Sequence, residues 1–244
     1  MKNNISAIFF SLSIVIASIF LGNSYVHKYK KEGKISVKGL GKKDFVSDLI
    51  VWSGTFSKED IDLKRSYADL ASDKEIITQY LIEKGIEKDN IVFSAVNTRK
   101  RNKSLYSEEG KYIGDEFIGY TLTQSVQIES NEVEKVEDIS RMITELLNKG
   151  VQFYSNAPRY YYTKLSDLKI EMISRATEDA RNRAENIAKN SGAELGELNS
   201  ADMGVFQIVG QNSNESYSWG GTFNTSSRKK TASITMDLEY KIEN

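Results

Sequence analysis

The firmest hydrophobic pattern lies at the C-terminal end of the chain. In "ASITMDLEYKI", Ala232, Ile234, Met236, Leu238, Tyr240 and Ile242 alternate without a break with polar residues. A period of two is the signature of a strand with one buried face. "YTLTQSVQIE" repeats it, with Tyr120, Leu122, Val126 and Ile128 set against Thr121, Thr123, Ser125 and Gln127. Helical periods come between. Leu63, Tyr67, Leu70, Ile77 and Leu81 predict a helix over about 60–84, stopped by Gly85, and Val136, Ile139, Ile143 and Leu146 predict a second, ended by Gly150. A third is expected over about 166–191, where Ala176, Ala180, Ala184 and Ala188 recur every four residues and Gly192 is the expected C′ residue. Small residues in one stripe allow close approach to a sheet or another helix.

Weaker signals fill in the rest. "NIVFSAVNTRKRN" reads as a strand entering a basic loop, and 102–116 as a polar loop carrying Gly110 and Gly114. "RYYYTKL", after the sole proline Pro158, reads as a strand, and "ELGELNSADMGVFQIVG" as a turn and strand. The Asn/Ser/Gly-rich stretch "QNSNESYSWGGTFNTSSRKK" reads as a mobile loop. "ISVKGLGKKD" raises the possibility of a phosphate-cradling turn, but no third glycine and no helix follow. A β-branched and aromatic run with Ile50, Val51, Trp52 and Phe56 comes next, so Gly39 and Gly41 are expected in the turn of a hairpin. Paired strands interrupted by three helices predict an α+β domain with antiparallel pairing.

The N-terminus carries a different signal. No charge occurs from Asn3 to Val26, and "ISAIFFSLSIVIASIFLG" is 18 residues long. At ~1.5 Å per residue that length just spans a bilayer core, and no A-x-A cleavage site follows. An uncleaved signal anchor over 1–26 is therefore favoured over a cleaved signal peptide, with a linker at 27–33 and the folded domain at 34–244. Lys28, Lys30, Lys31 and Lys34 lie just downstream, which opposes export by the positive-inside rule and leaves the topology open on charge alone.

Composition narrows the chemistry. The 244 residues are 39% hydrophobic, enough for a real core, and 33 basic against 34 acidic side chains give a net charge of −1. That balance does not point to a nucleic acid. The absence of cysteine excludes disulfides, thiolate nucleophiles and cysteine-based metal sites, and a single histidine, His27, excludes a two-His site.

Several local clusters have the residue types of a site. Arg99, Lys100, Arg101 and Lys103, with Tyr160, Tyr161 and Tyr162 after Arg159, resemble a nucleic-acid patch, but basic residues facing Glu108, Glu109, Asp115 and Glu116 read better as a solvated hairpin. The third helix has a polar face of Arg175, Glu178, Asp179, Arg181, Arg183, Glu185 and Lys189. It reads as the wet side of an amphipathic helix rather than an acid–base site. Ser226 with Lys229 is a local Ser/Lys candidate that reads as coincidence. Trp219 in its polar loop suits docking on a partner subunit or membrane, or tucking back on its own domain. No residue is assigned a catalytic, cofactor-binding or metal-binding role, and no cofactor is expected.

Together these segments resemble the SIMPL domain family. "ISVKGLGKKDFVSDLIVWSGTFS", with V-x-G-x-G before a strand and Asp48, looks like the opening of such a domain. "FIGYTLTQSVQI" fits its middle strand, and "YYYTKLSDLKIEMISRATEDARNRAENIAKNSGAELGELNSADMGVFQI" fits its Ala-rich helix, S-G-x-x-L-G and returning strand. The resemblance spans about 34–242. It implies an exported cell-envelope protein, periplasmic in Gram-negative bacteria, in a family where some members form large ring-like oligomers and others are associated with oxidative-stress defence. It supplies no catalytic residues. The expectation is a non-enzymatic protein held at the inner membrane by its N-terminal helix, acting by homo-oligomerisation or partner binding. The alternatives are an envelope enzyme using carboxylates or Ser/Lys, and a small-ligand or polysaccharide binder resting on the tyrosines.

Overall fold

The computed structural model describes residues 10–22 and 33–243, and shows an α+β fold with two sheets. Helix α1 covers residues 10–22. The rest of the expected anchor, 1–9 and 23–26, lies outside the described residues, as do His27 and most of the linker. Among the described residues no helix is long and apolar enough to cross a membrane.

The remaining elements are β1 (Lys34–Val46), β2 (Leu49–Asp60), α2 (Leu63–Glu83), β3 (Ile91–Phe93), β4 (Asn97–Tyr106), β5 (Tyr112–Ser130), α3 (Val133–Met142), β6 (Phe153–Ser155), β7 (Arg159–Tyr161), α4 (Leu165–Ser191), β8 (Glu194–Met203), β9 (Gln207–Gly210), β10 (Thr222–Phe223) and β11 (Lys229–Glu243). A 3-10 stretch, Ile143–Lys149, continues α3 to Gly150. One sheet runs β1-β11-β9-β10 with β8 also on β11, and it is mixed because β9 and β10 are parallel. The other runs β3-β5-β2-β6, with β4 on β5 and β7 on β2, and is antiparallel throughout.

The expected hairpin across Gly39 and Gly41 does not form. Both glycines lie inside β1, and β1 and β2 belong to different sheets, the chain changing sheets at Ser47–Asp48. Gly39 serves close approach instead: a Cβ there would fall on the carbonyl oxygen of Ala176 and 2.6 Å from the amide nitrogen of Ala180. A bare backbone lets strand and helix meet along the alanine stripe, whose four residues are buried.

Two compact units partition the chain. The smaller takes the described residues up to Leu40, Ala176–Gly204 and those from Thr235; the larger takes Gly41–Arg175 and Val205–Ile234. In the larger unit, Trp52, Phe56, Leu122, Val126 and Ile128 meet Leu70, Ile77 and Leu81 of α2 and Val136 and Ile139 of α3 in one core. The alternation in β2 and β5 makes one face of the sheet apolar, and the 3.6-residue stripes of the helices cover it. Asp62 caps α2, accepting from the amides of Lys64 at 2.7 Å and Arg65 at 3.2 Å. Tyr80 donates to Glu145 at 3.1 Å; burial, followed by that carboxylate, pushes its phenol up to about 12.

Candidate functional site

The segment expected as a polar loop over 102–116 is a two-stranded arm. The β2–β5 ladder ends at Asp60 opposite Tyr120; beyond it β4 and the first part of β5 pair only with each other, out to Tyr106 opposite Tyr112. A register shift between Arg101 and Asn102 marks the base. There Gly119 has φ of +132°, and a Cβ on it would stand 2.7 Å from the carbonyl oxygen of Asp60. An extra residue on one strand bends and twists a ribbon, so the arm leaves the sheet at this bulge. At the tip, Ser107 N donates to Lys111 O at 2.8 Å and Gly110 N to Ser107 O at 2.9 Å.

The arm is not uniformly polar. Tyr106, Tyr112, Ile113, Phe117 and Ile118 are exposed on it. Tyr106 and Tyr112 meet edge to face with centroids 6.0 Å apart. Five large apolar or aromatic side chains are thus exposed on one short ribbon, a local concentration of surface apolarity. The basic cluster lies on β4, and its pairing follows the solvated-hairpin reading: Arg101 pairs with Glu59, and Lys103 stands opposite Glu116. Closely spaced charges and Gly110 mask the two strands in the sequence, although Tyr106, Tyr112 and Ile113 carry a strand signal.

The stretch expected to be a mobile loop, 211–230, is fastened at its root and includes β10. Glu215 accepts from the amide of Gly210 at 2.9 Å and from the Asn224 side chain, while Asn224 accepts from Ser227 N at 2.8 Å. Gln207 donates to Ser218 O at 2.7 Å. Beyond these ties, Trp219 is wholly exposed, with Tyr217 exposed nearby.

The candidate pair Ser226 and Lys229 does not assemble. Ser226 Oγ accepts from Asn224 at 3.2 Å, and both residues of the pair are exposed. The buried lysine is its neighbour, Lys230, only 1% exposed. Its Nζ donates to Tyr160 O, and desolvation lowers its pKa to about 8 against a smaller raising effect of Glu215. The signal was present in the sequence: Lys230 is in phase with Ala232 and Ile234, so the alternation extended by one step places it on the core side.

Other candidates disperse. Tyr160 is buried, its pKa raised first by desolvation and then by Glu137, and Tyr162 stacks at a tilt on Phe45 at 4.9 Å, so the tyrosines form no joint platform. On α4, Asp179 pairs with Arg183 at 3.0 Å and Arg181 with Glu185 at 2.8 Å, while Glu178 is exposed. Asp179 also accepts from Leu40 N at 2.9 Å; that hydrogen bond and then Arg183 hold its carboxyl below the usual range. Asp48 accepts from the amide and hydroxyl of Thr163, both at 2.7 Å. These arrangements brace the fold, with Asp179 and Glu185 each held by an arginine of the same helix.

No curated protein matches the chain. The family model named SIMPL, described as a protein of unknown function (DUF541), matches residues 35–240. That match takes in the glycine-bearing first strand, the arm, the alanine-striped helix and the long last strand, and the chain therefore belongs to the SIMPL family.

Proposed function

We propose that the protein is an exported envelope protein, anchored in the inner membrane by its N-terminal segment, that acts without catalysis by self-assembly or partner binding through the β4–β5 arm. The observation carrying this reading is the arm itself, a two-stranded ribbon presenting Tyr106, Tyr112, Ile113, Phe117 and Ile118 to solvent. An exposed ribbon of this kind is costly to keep in water unless something covers it, because an isolated two-stranded hairpin is marginally stable. Exposed Trp219 offers a second contact of the same kind. The uncharged stretch from Asn3 to Val26 supports the anchor, and the family resemblance supports the envelope setting and a role in envelope or oxidative-stress defence.

Sedimentation of the detergent-solubilised chain tests assembly. Species larger than the monomer are expected, and a strict monomer without a captured partner at high concentration overturns the reading. Retention in the membrane pellet after alkaline carbonate washing tests the anchor; release into the supernatant overturns it.

A further inference from the structure

The larger unit also carries a surface of the opposite character to the arm tip. A groove of about 770 Å³ is lined by α2, by β3 and by the 3-10 segments before β3 and after α3. Ile76, Ile82, Ile91 and Phe93 supply its apolar lining, and Lys74, Lys88 and Lys149 its positive charge. Lys74 holds its ammonium 4.9 Å from the centroid of the Phe93 ring, and Lys149 reaches Glu83 at 3.4 Å. Among the described residues neither Lys74 nor Lys88 has an acidic partner within ion-pair distance. The only acidic side chain in the lining is Glu75.

The arm tip has the complementary chemistry. Between Lys103 and Glu116, four acidic residues stand against two basic ones, and Glu108 and Glu109 are exposed at the turn beside Tyr106 and Tyr112. We propose that the groove receives the arm tip of a second copy of this chain, the tyrosines and Ile113 covering Ile82, Ile91 and Phe93, and Glu108 and Glu109 facing Lys74 and Lys88. This proposal rests on the reading of the arm as an assembly element and names the surface it engages. The two patches are different parts of one protomer, so the contact is heterologous, and repeating it builds a closed ring or an open filament. Charge complementarity sets the register and speeds encounter, and the apolar centre supplies the burial.

The chain has no cysteine, which allows a direct test. Detergent-solubilised full-length chains carrying Glu109→Cys are mixed with chains carrying Lys88→Cys under mild oxidation. A mixed disulfide dimer is expected, at least ten-fold above the yield with Glu178→Cys on the exposed face of α4 as control partner. Separately, Lys74→Glu with Lys88→Glu is expected to abolish assembly, as is Glu108→Lys with Glu109→Lys. Combining all four changes in one chain restores it. Assembly that survives the groove changes but is lost with the arm changes overturns the proposal while leaving the arm as an assembly element. A wild-type chain that stays monomeric and captures no partner overturns both.

Discussion

Lys230 places its ammonium 2.5 Å from the carbonyl oxygen of Tyr160 while almost completely removed from solvent. Desolvation lowers its pKa to about 8, from 10.5 in the unfolded chain. Between those values the unfolded state binds more protons than the folded one, so stability rises with pH across the window. Below it the buried charge is a constant cost. Wild type is therefore expected to gain on the order of 2 kcal/mol relative to Lys230→Met from pH 8 to pH 10.5. Urea unfolding of both proteins across that range measures the difference, and a flat difference contradicts the assigned burial of the charge.

Gly39→Ala introduces a methyl group that meets backbone atoms of α4 at Ala176 and Ala180. Backbone cannot rotate away as a side chain can, so the substitution is expected to cost about 3 kcal/mol or more. Denaturant midpoints decide the matter; a loss below about 0.5 kcal/mol, the size of an ordinary surface change, would mean that strand and helix do not approach this closely.

Asp62→Ala removes the acceptor for the amides of Lys64 and Arg65 at the start of α2. A loss of about 1 kcal/mol is expected, with Asp62→Asn retaining most of the stability because asparagine caps equally well. Thermal melts of the pair provide the check, and equal losses for both variants would point to charge rather than capping.

Replacing Tyr106 and Ile113 together by serine alters the exposed arm without touching the core. Stability is expected to change by no more than about 0.5 kcal/mol, while the oligomer detected by sedimentation dissociates. A fully assembled double variant would remove the arm from the interface.

The arm is an element that pairing, not local composition, creates. Gly110, Gly114 and the charges around them look like a loop because local composition does not reveal that β4 and β5 find each other across the turn. Strand pairing satisfies the backbone of a polar, glycine-containing segment that alternation alone would not identify. Gly39 and Gly41 lie in a strand rather than a hairpin turn for the same physical reason: the close packing of α4 that explains Gly39 comes from more than one hundred and thirty positions away in the chain.

What the sequence by itself determined were the elements whose periodicity is set by burial on one face: α2, the α3 region, α4 with its alanine stripe, β5 beyond Tyr120, and β11. There the buried side chains recur at the element's own period, so local pattern and tertiary packing agree. Only the tertiary structure decided the sheet to which each strand belongs, the meeting of the Lys230 ammonium with the Tyr160 carbonyl, and the separation of the acidic arm tip from the lysine-lined groove. Each of these depends on which distant segments become neighbours, and hydrophobic period carries no information about partners.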